Sequence, residues 1–200
     1  MDYYYTIDKP SVAEFKDRGS RFIGYAFNIE TAGDFKDRLA DIKKEHPKAT
    51  HHCFAYRLGF DGNNFRVSDD GEPSGSAGRP ILAQIDSREL TNTLVIVVRY
   101  FGGTLLGVPG LINAYRTAAS LTLQTTPVSQ KPVQLNYTLH FDYTQLNNVM
   151  KIIKLYHCTI TTQDIQLFCR MNIAIAKDKT DEVIKRLTDN GMVELEKNEE

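Results

Sequence analysis

Three carboxylates, Asp69, Asp70 and Glu72, lie together in the stretch Ser68–Pro80, SDDGEPSGSAGRP. At this spacing they can hold a divalent cation, orient arginines or cap a helix. Gly71, Gly75 and Gly78 let backbone N–H groups come close to a neighbour, and Ser76 stands where it can cap the helix that follows. Two readings fit. In the first, Asp-Gly and Glu-Pro are turn formers and nothing binds. In the second, Ser68, Asp69, Asp70, Gly71, Glu72, Gly75, Ser76 and Gly78 form one side of an anion site at a helix start, beside Arg79 in its first turn. The three negative charges oppose an anion unless a cation or arginines offset them.

A second glycine turn, RYFGGTLLGVPG, follows a buried strand that delivers Arg99 to its C-terminal end. Ligands of α/β sheets favour that end. Gly102, Gly103, Gly107 and Gly110 allow close approach of backbone or tight packing, and Arg116 follows in the next helix, about two turns past Gly110. No Gly-Lys-Ser/Thr follows, so the turn is not a P-loop, and the glycine spacing is not that of a dinucleotide fingerprint. His51, His52 and Cys53 invite a metal or nucleophile reading. On a strand, however, His51 and Cys53 share one face while His52 points to the other with Phe54 and Tyr56. No further zinc ligands stand at diagnostic spacing. Cys53 is therefore read as structural, and no residue is assigned a catalytic or metal-binding role. Tyr3–Tyr5 can stack on bases, but an N-terminal strand needs no ligand.

The elements that must position these residues are legible. SVAEFKDRG and SRFIGYAFNI read as a hairpin joined at Gly19. TAGDFKDRLADIKKEHP reads as a helix with Thr31 as N-cap and Phe35, Leu39 and Ile42 on its apolar stripe. HHCFAYRL alternates as a strand, FRVS is a short partner, and PILAQID is helical. TLVIVVRYF suits a central strand buried on both faces. LINAYRTAASLTLQ closes an N-terminal α/β domain with a mixed sheet, 1–126. TTPVSQKPVQL carries two prolines, which places a linker at 127–134. Beyond it, 135–200 reads β-α-β-β-α-β, the ferredoxin-like order. The fold class is α+β.

Lys plus Arg number 24 against 25 Asp plus Glu, so no global field draws the chain to nucleic acid or anionic membrane. The first residues lack a secretory pattern, and no apolar run approaches a membrane span. Three scattered cysteines do not make a disulfide framework, and a reducing cytoplasm is the expected location.

SRFIGYA, HHCFAYRLG, SDDGEPSGSAGRPIL and VVRYFGGTLLGVPGLINAY together resemble the YigZ/IMPACT family in order and spacing, over essentially the whole chain. The resemblance implies a first domain like the second domain of a small-subunit ribosomal protein and like a domain of EF-G. It implies a second domain like the last domain of EF-G. Eukaryotic IMPACT proteins regulate translation through an additional domain with no counterpart in these 200 residues. The expected function is a non-catalytic, translation-linked regulator that binds RNA, the ribosome or a translation factor. No cofactor or membrane is implied. The alternative is a nucleotide- or phosphate-binding enzyme that uses the glycine turns. In either case the two glycine turns are expected to form one surface, since both are specific to the family.

Overall fold

The computed structural model describes residues 2–189, 191 and 193–198. In chain order its elements are β1 (Tyr3–Ile7), β2 (Ser11–Asp17), β3 (Ser20–Asn28), α1 (Ala32–Glu45), β4 (His51–Arg57), β5 (Phe65–Ser68), α2 (Gly78–Asp86), β6 (Thr93–Tyr100) and α3 (Gly107–Gln124). Then come β7 (Val128–Pro132), β8 (Gln134–Asp142), α4 (Leu146–Leu155), β9 (Thr159–Asp164), β10 (Phe168–Ala176), α5 (Thr180–Thr188) and β11 (Val193–Lys197). They divide into two units. One spans Tyr4–Lys131, and the other takes the described residues from Pro132 onward together with Asp2 and Tyr3.

In the first unit five strands lie in the order β2-β3-β6-β4-β5. Every ladder of this sheet is antiparallel, so it is not the mixed sheet expected. The reason is an insertion. β3 and β4, joined through α1, do run parallel, but β6 lies between them and is antiparallel to both. β2 and β3 are joined by a tight hairpin in which Arg18 and Gly19 both have positive φ, the pattern of a type I′ turn. α1 starts on a capping box: Thr31 accepts from the Asp34 amide, and the Asp34 carboxylate accepts from the Thr31 amide.

Strand β6 is buried on both faces, as its apolar run requires. Leu94, Ile96 and Val98 pack with Phe35 and Ile42 of α1, while Val95 and Val97 pack with α2 and α3 residues such as Ile81, Ala114 and Tyr115. Each such apolar side chain is worth about 1.5–3 kcal/mol relative to exposure. Arg99 has the same parity as Val95 and Val97, so the pleat sends its guanidinium under α2 and α3.

The stretch expected as a linker, 127–134, holds β7, which pairs with β1 at the start of the chain. Pro127 and Pro132 bracket this strand rather than loosening it. Lys131 pairs with Asp8 at 3.2 Å, and the Thr126 hydroxyl donates to the Lys9 carbonyl at 2.8 Å.

The second unit has strand order β11-β8-β10-β9, again antiparallel throughout, which is the ferredoxin-like arrangement. Val149 and Ile153 of α4 and Val183 and Leu187 of α5 join Leu139, Met171 and Ile173 in its core. Asn190 and Met192, read as part of the last helix and last strand, lie outside the described residues.

Candidate functional site

The Ser68–Pro80 loop folds around its own aspartate. Asp70 and Gly71 both have positive φ, and the Glu72 amide donates to the Asp69 carbonyl at 2.9 Å, closing a tight turn. The Asp69 carboxylate then accepts from the amides of Gly75 at 2.8 Å, Ala77 at 3.0 Å and Gly78 at 2.8 Å. Burial works to raise this carboxyl, but the three amides, with the more distant charge of Arg79, outweigh it and hold Asp69 below the usual carboxylate range. Ser76 does not cap α2. Ala77 is the N-cap residue, and the Ser76 hydroxyl donates to the Pro73 carbonyl at 2.6 Å. Ser68 accepts from the Asp70 amide at 3.2 Å. A side chain at Gly78 would place its Cβ 2.8 Å from the Ser68 amide nitrogen, so glycine is required where α2 crosses β5.

The three carboxylates diverge. Asp70 accepts from the His52 amide at 2.6 Å, and Glu72 turns inward to Arg99. Among the described residues no cluster of three or more His, Cys, Asp and Glu could hold a metal ion. Of the three, only Glu72 bonds directly to an arginine. Arg99 Nη1 donates to Glu72 Oε1 at 2.6 Å, and the Tyr115 hydroxyl donates to the same oxygen at 2.7 Å. Arg99 is 5% exposed, and its guanidinium lies 5.4 Å from the Phe22 ring centroid and 5.5 Å from that of Phe101. Its Nη2 reaches Ser20 Oγ at 3.4 Å, while its Nε–H is buried and meets no acceptor among the described residues.

Pairing of β4 with β6 sets His51 opposite Arg99. His51 Nδ1 lies 2.7 Å from the Asp70 carbonyl, a distance that only an N–H can satisfy, and Nε2 lies 3.7 Å from Glu72 Oε1. Cys53, two residues on, is fully buried, with Sγ 3.0 Å from the Asp69 carbonyl and 3.3 Å from the Tyr115 hydroxyl. Burial pushes both the Cys53 thiol and the Tyr115 phenol well up, so neither is a ready nucleophile or base. His52 faces the α1 side, its Nε2 3.1 Å from the His46 carbonyl, and burial lowers its pKa.

After β6, Gly102 packs against the β2–β3 hairpin, where an added Cβ would stand 1.9 Å from the Gly19 carbonyl carbon. Its amide donates to Ser20 Oγ at 3.1 Å. Gly103 and Gly107 have positive φ, and the chain then enters α3 at Gly107, with Gly110 in its first turn. Between this turn and Glu72 lies a cleft of about 370 Å³. Its floor holds Glu72, Arg99, His51 and Thr50, and its walls are apolar, with Phe101, Leu105, Leu106, Val108 and Leu111 contributing. Phe101, Leu105 and Val108 form an exposed rim.

Of the three arginines named from the sequence, Arg99 alone lines this cleft. Arg79 and Arg116 are exposed on α2 and α3 and take no part in its lining. Gly102 and Gly103 shape the approach, and Gly107 lines the cleft itself. His51, Tyr115 and the apolar wall did not enter the expected site. His51 had one usable signal: it shares a strand face with Cys53. Its position beside Arg99 depends on strand register, which neither segment encodes alone.

Comparison with known proteins gives the class. The family model described as the Impact N-terminal domain matches residues 18–123, which include both glycine turns and the cleft. The chain belongs to the IMPACT family. It is 34% identical over 188 residues to an IMPACT family member of Haemophilus influenzae, covering 92% of this chain and 91% of that protein. It is likewise 34% identical over 172 residues to the IMPACT family member YigZ of Escherichia coli, covering 85% of this chain and 84% of that one. A crystal structure of a hypothetical protein, 31% identical, superposes with a TM-score of 0.80 over 100% of this chain and 99% of its own.

Proposed function

We propose that this chain is a non-catalytic, cytoplasmic, translation-linked regulator that binds RNA, the ribosome or a translation factor at the cleft between the β6 turn and α3. One observation carries the reading: a buried guanidinium–carboxylate floor lies under an exposed apolar rim, which is a recognition surface. The thiol on the same strand face is sealed below that floor rather than presented to a substrate. The link to translation is what membership of the IMPACT family suggests. In this reading Arg79 and Arg116 are outlying cations that add salt-dependent contacts beyond the cleft.

Copurification with ribosomal particles across a salt series tests the proposal, with Leu105→Asp as the cleft variant because Leu105 is 83% exposed and its loss spares the core. Association that is reduced by Leu105→Asp supports the reading. Absence of any salt-sensitive association argues against it.

A second reading, a nucleotide- or phosphate-ligand enzyme, is favoured by the uncapped start of α3 at Gly107 and Gly110. Thermal shift with nucleotides and divalent ions tests it, since a ligand bound only by the folded state raises stability.

A further inference from the structure

We infer that the cleft captures the free C-terminal carboxylate of a protein partner whose last residue is apolar. The inference rests on the reading that this cleft is the partner-binding surface, and it names the chemical group that enters. Three observations converge on it.

First, the start of α3 opens into the cleft, with Leu106, Gly107 and Val108 lining it. No side chain among the described residues caps this helix, and its first turn holds no acidic residue. The amides of Gly107 and Val108 have no acceptor among the described residues. Two successive unpaired N–H groups at the positive end of an 18-residue helix suit a carboxylate.

Second, Arg99 lines the same cleft, and its buried Nε–H has no acceptor among the described residues. The neighbouring Glu72 does not repel an incoming anion at full strength. Its Oε1 already accepts from Arg99 and from Tyr115, so the floor is a matched pair rather than a bare charge.

Third, the rest of the cleft is apolar. Leu105, Leu106, Val108, Leu111 and Phe101 make a pocket suited to one aliphatic or aromatic side chain beside the anion. An inorganic phosphate would leave this wall unused, and a nucleotide would bring a polar sugar against it. A chain terminus with an apolar last residue satisfies both halves.

The experiment is fluorescence anisotropy on the full chain with labelled octapeptides ending in Leu, Val, Ile or Phe, each as free acid and as C-terminal amide. Inorganic phosphate and adenosine monophosphate serve as competitors. At least one free acid should bind, and its amide should bind about tenfold or more weakly, the size of a lost charge-assisted hydrogen bond. Val108→Asp, at an exposed position that brings an internal carboxylate to the same amides, should weaken the free acid to a similar degree and leave the melting temperature unreduced. Equal binding of acid and amide overturns the inference. So does failure of all four termini to bind, or displacement of a bound peptide by the nucleotide at comparable concentration. If ribosomal association is lost in Leu105→Asp while no peptide binds, the carboxylate inference fails and the cleft reading stands. If peptides bind and no translation component associates, the reverse holds.

Discussion

Two glycine-rich turns lead into two helices of the same unit, and only one of those helix starts is filled from within. At α2 the Asp69 carboxylate takes the amides of Gly75, Ala77 and Gly78. At α3 no side chain among the described residues does the equivalent, and the first turn carries no acid. A helix N-terminus behaves as roughly half a positive charge, so the chain neutralises one start and leaves the other facing a cleft. The carboxylate-rich loop, which looks more like a ligand site in the sequence, is a clamp on the fold. The plainer Leu-Leu-Gly-Val segment is where an external anion has room.

The strongest way to break this contrast is Gly102→Ala. Its Cβ would meet Gly19 backbone at 1.9 Å, forcing the turn before α3 off the hairpin. A loss of more than about 3 kcal/mol is expected in urea denaturation; a wild-type midpoint would show that this turn is not held by that contact. Asp69→Ala comes next, at about 2–3 kcal/mol, because it strips the acceptor from amides at a partly buried helix start. The pH dependence has a definite sign. Asp69 is held below its unfolded value, so its contribution is present above about pH 4 and is lost as pH falls through the folded value. The stability gap between wild type and Asp69→Ala should therefore close in acid, and a gap that widens there would contradict the clamp.

Cys53→Ser should cost about 1 kcal/mol, since the hydroxyl keeps a polar partner but loses apolar contact in a fully buried site. In the folded wild type, iodoacetamide should modify Cys53 far more slowly than Cys158; rapid selective alkylation of Cys53 would refute its sealed position. The smallest effect sharpens the comparison from the other side. Val108→Asp supplies α3 with the acid it lacks and should raise stability by about 0.3–1 kcal/mol, read as a small upward shift in melting temperature. A clear fall would mean that the start of α3 is not electropositive in the folded chain.

Local signals explain what could be read from the sequence. The Arg18-Gly19 turn, the Thr31 cap and the two-sided apolar run of β6 each depend on neighbouring residues, and each formed as the pattern requires. The βαββαβ order of the second unit was legible for the same reason. Long-range pairing was not. The insertion of β6 between β3 and β4 turned an apparently mixed sheet antiparallel. Ser76 looked like the cap of α2, yet Asp69 reached that helix from eight and nine residues earlier and took the donors. Arg99 could meet an anion or one of the loop carboxylates; that its partners are Glu72 and Tyr115, from different elements, is set only by the fold. The two glycine turns do border one cleft, and the partners of Arg99 within it come from the fold alone.

The pairing of β1 with β7 has a consequence for synthesis. A strand that starts at Tyr3 first meets the chain again at Leu90 and Thr91, where Tyr5 bridges Leu90 and its carbonyl accepts from the Thr91 amide. Its ladder partner follows only at Val128–Pro132, nearly two thirds of the way through these 200 residues. At the usual elongation rates of about 5–20 residues per second, that ladder closes on the order of ten seconds after β1 is made. The core between β2 and α3, to which Ile7 of β1 contributes, can condense in the meantime. β1 is thus completed in two stages, the Leu90–Thr91 contact first and the β7 ladder later.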